Sequence, residues 1–118
     1  MSDLGLVSGA VYMSEIAIQL PSKSEFFAVN NSIFTASNGG GEDFEIHLVS
    51  VEEIVSNDVQ ENFTLLFRAQ LDAIAEQGIY HLKHEKLGEM DLFLVPVKKD
   101  DTGLYFEAVF NLIKAAGA

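Results

Sequence analysis

The 118-residue chain has no cysteine, no tryptophan, two prolines, three histidines and a single arginine, Arg68. Without cysteine there can be no disulfide, iron–sulfur cluster or thiolate zinc site, and only the histidines remain as soft metal ligands. Basic residues are scarce, since 7 Lys plus Arg stand against 18 Asp plus Glu for a net charge of -11. No basic patch is available to attract a phosphate backbone, so nucleic-acid binding is not expected. Nowhere do about 18 apolar residues run together, which argues against a membrane-spanning helix. The stretch before Pro21 holds Asp3 and Glu15 but no Lys or Arg. It lacks the positive start of a signal peptide, and a cytoplasmic protein is expected.

Nucleotide and hydrolase signatures are missing as well. There is no G-x-x-x-x-G-K-[ST], no G-x-G-x-x-G and no G-x-S-x-G elbow, and Gly39 to Gly41 lie between two expected strands rather than before a helix. With no such elbow and no cysteine nucleophile, covalent acyl transfer has little to stand on.

What the chain does have is apolar sequence, at 48% of residues, in a length suited to one domain. The acids are unevenly placed. Residues 1 to 78 carry 12 of them against Lys23 and Arg68, while residues 79 to 118 carry 6 against five lysines. A solvated face explains this imbalance most simply.

Leu6, Gly9, Ala10, Met13, Ile16, Ala17 and Leu20 fall at helical spacing, but Gly5, Gly9, Val7 and Val11 oppose a helix. Residues 1–24 are therefore set apart as an N-terminal segment, helix or mobile tail, and residues 25–118 as a single antiparallel β domain. After Pro21 short runs rich in Phe, Val, Ile and Leu alternate with turn residues. Six strands are predicted: Glu25 to Ala36, Asp43 to Val55, Asn62 to Ala69, Gly78 to Glu85, Glu89 to Lys98 and Gly103 to Ile113. The short links Asn38 to Gly41, Leu87-Gly88 and Asp100 to Gly103 favour antiparallel neighbours. Leu71, Ile74 and Ala75 suggest a helical turn, a lid between the third and fourth strands.

Alternation assigns the faces. Phe63, Leu65 and Phe67 oppose Thr64, Leu66 and Arg68, and Phe44, Ile46 and Leu48 oppose Glu45, His47 and Val49. The last two strands are apolar on both faces, and Pro96 predicts a bulge or an edge. The expected fold is all-β, a small antiparallel barrel or sandwich of about six strands, with one of the last two strands covered by a loop, the N-terminal segment or a second subunit.

Candidates for chemistry are few. His81 and His84, three apart in one strand, point to opposite faces, and His47 would approach His81 only if the second and fourth strands were neighbours. The adjacent carboxylates Glu52-Glu53, Asp100-Asp101 and Glu42-Asp43 sit at strand ends or turns, where they are solvated. Glu107, in the most apolar strand, is expected to pair with Arg68 as an architectural ion pair. No catalytic, cofactor-binding or metal residue is assigned.

The segments Phe63 to Arg68, Gln77 to His84, Leu87-Gly88, Leu92 to Val97 and Tyr105 to Asn111 resemble a family of small bacterial β domains of unknown function, over about Phe27 to Asn111. The resemblance implies a compact β fold and no mechanism. Its elements read as structural: Gly78 and Gly88 for positive φ, Tyr80 and Tyr105 as buried rings offering hydroxyls to the backbone, and Asn111 at the end of the last strand. The function expected is that of a noncatalytic accessory or structural domain, not an enzyme. It would act through protein contacts or self-association by its last strand, in a homo-oligomer or a larger bacterial or phage-tail-like assembly, without cofactor. The alternative is a small-molecule-binding barrel with an aromatic-lined pocket.

Overall fold

The computed structural model describes residues 20–38 and 42–113. The helix-or-tail question for residues 1–19 and the Gly39 to Gly41 turn both lie outside them. The chain runs α1 (Lys23–Ala28), β1 (Ile33–Ser37), β2 (Phe44–Ser56), β3 (Gln60–Ala69), β4 (Gly78–His84), β5 (Gly88–Asp100) and β6 (Gly103–Ile113). The strands form a closed antiparallel ring in the order β1-β2-β3-β6-β5-β4. It is built of two three-stranded meanders, β1-β2-β3 and β4-β5-β6. They are joined by a long seam between β3 and β6, running from Gln60↔Ile113 to Ala69↔Leu104, and a short one between β1 and β4, from Thr35↔Lys83 to Ser37↔His81.

Period-two patterning dictates what fills the ring. Phe34, Ile46, Leu48, Phe63, Leu65, Phe67, Leu82, Leu94 and Phe106 are fully buried, and their neighbours in sequence face out. Two ring pairs meet edge-on, Phe34 with Phe67 at 5.4 Å and Tyr80 with Phe106 at 5.7 Å, while Phe63 and Phe110 stack at 4.6 Å. Each such side chain contributes about 1.5–3 kcal/mol by leaving water.

The first expected strand is corrected. Its N-terminal part is helix, because Ser22 accepts from the Glu25 amide while the Glu25 carboxylate accepts from the Ser22 amide, a reciprocal cap that starts α1. The helix sets Phe26, fully buried, beside Phe110 at 5.5 Å and Phe63 at 6.4 Å, plugging one end of the ring. Lys23 ties it down through Glu53 and, at 3.4 Å, Glu61. Asn31, at φ 73°, then turns the chain into β1.

The expected helical turn near Leu71 to Ala75 is also corrected, since the β3–β4 link contains only a turn at 71–73. Gly78 opens β4 without a positive φ, whereas Gly88, at φ 81°, supplies one in the β4–β5 turn. Pro96 borders a bulge, as expected, where the β5–β6 register slips before Lys98. Asn111 is not a strand end, since it lies opposite Asn62 within the ladder.

Candidate functional site

Side chains that alternation turns outward on β3, β6, β5 and β4 create one surface. Ile79 of β4 and Phe93 of β5 stand opposite each other, 66% and 53% exposed. Val95, two residues on, faces Glu107 of β6, which in turn faces Leu66 of β3. Val109, 54% exposed, lies two residues from Glu107 on the same face. Large apolar side chains from three adjacent strands thus meet water together, where scattered single ones would be ordinary.

A polar row borders this patch: His47, Arg68, Tyr105 and Lys98 are in register across β2, β3, β6 and β5. Lys98 Nζ lies 4.5 Å from the centre of the Tyr105 ring and roofs it. The ring of Tyr105 is thus covered by a side chain of the neighbouring strand, which is none of the three covers expected for it. The Tyr105 hydroxyl meets Thr102 Oγ1 at 2.7 Å rather than the backbone expected for it, while the Tyr80 hydroxyl does donate to a backbone carbonyl, that of Glu76. Arg68 lies over Gly103, where a Cβ would fall 2.7 Å from Arg68 Cγ and 2.4 Å from the Ala69 carbonyl oxygen. The close approach explains why position 103 is glycine.

The expected Arg68–Glu107 pair does not form. Register sets Arg68 opposite Tyr105 and Glu107 opposite Leu66, and the guanidinium Nη2 instead lies 3.2 Å from His47 Nδ1. Among the described residues neither Arg68 nor Lys98 forms an ion pair, and neither does Glu107.

The histidines do not converge. β1 stands between β2 and β4 and keeps His47 from His81. His81 faces out, with Nδ1 2.7 Å from Asp91 Oδ1 and Nε2 2.8 Å from Glu89 Oε1. The hydrogen bonds to Asp91 and Glu89 raise its pKa above the usual 6.5. The carboxylates occupy opposite sides of the imidazole, so the three groups do not close on one ion, and no metal-holding cluster occurs among the described residues.

His84 faces in, its ring centre 4.5 Å from that of Phe34. Its Nδ1 accepts from the amides of Lys86, at 2.9 Å, and Leu87, at 3.2 Å. The proton must then reside on Nε2, which donates to Ser32 Oγ at 2.8 Å, and Ser32 donates onward to the Val29 carbonyl. This polarity is the reverse of what a serine nucleophile requires, since the nitrogen facing the hydroxyl already carries a proton. Sequence reading passed over Ser32. The available signal was the polar run Asn30-Asn31-Ser32, which marks a turn but not its distant partner.

The opposite end of the ring carries an open cleft of about 630 Å³ between the β1–β2 and β3–β4 links. Phe44, Ala73, Ile74 and Tyr80 line it together with Glu42, Asp43, Glu45 and Asp72. All four carboxylates are exposed. The other adjacent pairs have separate duties: Glu53 holds Lys23, and Asp100 caps the β5–β6 turn by accepting from Thr102 and Gly103. Bonds from the Thr102 hydroxyl and amide hold the Asp100 carboxyl below its usual pKa.

No helix among the described residues is long and apolar enough to cross a membrane. No match was found among curated proteins or among solved structures. The model of the domain of unknown function DUF6916 matches residues 21–110, and the chain belongs to that family.

Proposed function

We propose that this DUF6916 domain is a noncatalytic accessory or structural module that acts through protein–protein contacts in the cytoplasm, as part of a bacterial or phage-tail-like assembly. The observation that carries the reading is the outward patch of Ile79, Phe93 and Val109 on adjacent strands, with half-buried Val95 and Leu66 in the adjoining row. Closure of the ring leaves β5 and β6 paired on both sides, so the last strand offers side chains and not a free edge. The partner that fits is a protein surface with an apolar centre and carboxylates at its rim, placed to meet Arg68 and Lys98. An interface of this kind draws affinity from its desolvated apolar centre and orientation from its rim charges.

Native mass spectrometry and light scattering of the full chain, with that of Phe93→Ser/Val109→Ser, test the reading. A discrete complex that the double variant loses, while keeping its circular dichroism and melting temperature, is the expected result, and self-association would identify the partner as a second copy. A wild-type monomer at micromolar concentration, with every host complex retained by the double variant, would overturn it.

A small-molecule reading has one footing, the end cleft with Phe44, Ile74 and Tyr80 in its wall. It would be a site at the end of the ring, because aromatic side chains fill the interior.

A further inference from the structure

The seam that closes the ring is short. β1 and β4 pair only through Thr35↔Lys83, Ala36↔Leu82 and Ser37↔His81. Beyond the last of these pairs toward α1, the two chains are held by a side-chain bond, His84 Nε2 to Ser32 Oγ. Ser32 in turn anchors the α1–β1 link, since its hydroxyl donates to the Val29 carbonyl, its amide donates to the same oxygen at 3.1 Å, and its own carbonyl accepts from the Leu48 amide of β2 at 3.0 Å. His84 also anchors the β4–β5 turn through the Lys86 and Leu87 amides. One imidazole therefore ties together the turn, the strand seam and the segment leading from the helical plug.

We infer that His84 is an acid-sensitive latch on the β1–β4 seam, closed when the ring is neutral and released when Nδ1 takes up a proton. The geometry supports this reading directly. A proton on Nδ1 leaves the Nε2–H donor in place but turns the acceptor of two backbone N–H groups into a donor facing them, so the imidazolium is driven out from between the turn and Ser32, and the seam bond is lost with it. Burial against Phe34 adds to the cost of the charge and lowers the pKa, Glu85 opposes this to a smaller extent, and Lys86 adds to it. Those are the charged groups facing it from its own turn. The α1–β1 link presents Asn30, Asn31 and Ser32 and β1 presents Phe34, none of which titrates in this range.

The neighbouring histidine on the same strand responds in the opposite sense. His81 is bonded to Asp91 and Glu89, so protonation strengthens the β4–β5 hairpin there, and that support is already in place when further acid reaches His84 and loosens β4 from β1. Acid would thus open the ring at a defined place, loosening the β4–β5 turn and freeing the paired edges of β1 and β4 while the β4–β5 and β5–β6 ladders stay bonded. A freed strand edge is a template for another strand, so release would change which surface the domain offers.

The test is performed on the full chain from pH 7.5 to 4.5. Nitrogen-15 shifts of the His84 ring report which nitrogen carries the proton, and amide exchange is compared between the seam and the β3–β6 ladder, whose amides serve as the internal reference. The expected result is an Nε2–H tautomer at neutral pH, with the seam amides and those of Ser32, Lys86 and Leu87 losing protection together, several-fold relative to β3–β6, as His84 titrates. His84→Asn, which can still cap the turn but cannot titrate, should remove the pH dependence of the turn amides. A neutral Nδ1–H tautomer would overturn the latch, as would seam protection that follows β3–β6 at every pH. Because the tautomer is measured on the wild type, the answer does not depend on the variant folding.

Discussion

The two ends of the ring are closed in different ways. At the α1 end a helix of six residues drives Phe26 between Phe63 and Phe110, and Lys23, His84 and Ser32 bind the surrounding links to one another. At the other end the β1–β2 and β3–β4 links border an open acidic cleft, and the chain is held by tight turns: Asp100 caps one and Gly103 approaches the Ala69 carbonyl in another strand. One end is sealed by burial, and the other stays open and is braced by backbone geometry. The first should fail when volume is removed and the second when volume is added.

Phe26→Ala gives the largest expected effect, about 3–5 kcal/mol of stability, because it leaves a cavity that the stacked Phe63 and Phe110 cannot fill. Urea unfolding at neutral pH measures it, and a loss below 1 kcal/mol would make the plug ornamental. Gly103→Ala is the counterpart at the open end, with an expected loss of about 1–3 kcal/mol from overpacking against the Ala69 carbonyl and the Arg68 stem. Stability unchanged by that methyl group would remove the contrast between the ends. Tyr80→Phe, which takes the hydroxyl from the Glu76 carbonyl in the wall of the cleft, should cost about 0.5–1.5 kcal/mol. Differential scanning calorimetry resolves a change of that size.

A pH series sharpens the comparison further. His84, depressed below 6.5 by burial, binds its proton better in the unfolded chain, so its contribution to stability is present above pH 6.5 and is lost as the pH falls toward the folded value. His81, raised above 6.5 by Asp91 and Glu89, contributes stability that is full below pH 6.5 and disappears as the pH rises through its folded value. In urea melts at pH 5 and pH 8, His84→Asn should therefore flatten the loss on the acid side, and His81→Gln the loss on the alkaline side. Phe93→Ser should have the smallest effect on stability, within about 0.5 kcal/mol, since the ring is already half in water. Leu94→Ala, one residue along and fully buried, should cost about 2–5 kcal/mol.

Much of the ring was legible because a strand with one wet face writes its orientation at period two. Phe63-Leu65-Phe67 and Phe44-Ile46-Leu48 needed no knowledge of their neighbours to be set inward, and His81 and His84 were correctly placed on opposite faces by the same rule. The helix was missed because Phe26-Phe27 resembles strand sequence, while the signal that outweighs it, the Ser22-x-x-Glu25 box, sits just upstream. The short links gave the hairpin neighbours, but side-chain partners across strands distant in sequence were not legible. Whether Glu107 meets Arg68 or Leu66 depends on a register fixed by the whole β3–β6 ladder, and no local pattern in either strand records it. The same holds for Ser32 and His84, which are 52 residues apart. The outward patch was half visible: two-faced apolar strands were expected, but only the structure separates Tyr105, roofed by Lys98, from Phe93, which is not.

The unequal seams carry a kinetic consequence. Each meander can form from contacts close in sequence, whereas both seams must bring distant parts of the chain together, and such contacts are slow to form because the loop entropy is lost before they are made. The β3–β6 seam returns a ten-pair ladder and a shared aromatic core for that loss, while β1–β4 returns three pairs. The order of assembly follows: hairpins first, then the docking of the two meanders along β3 and β6, and closure of the ring last. Unfolding should retrace these steps, so that a partly unzipped ring, open along β1 and β4, is the first species the native protein visits on its way out.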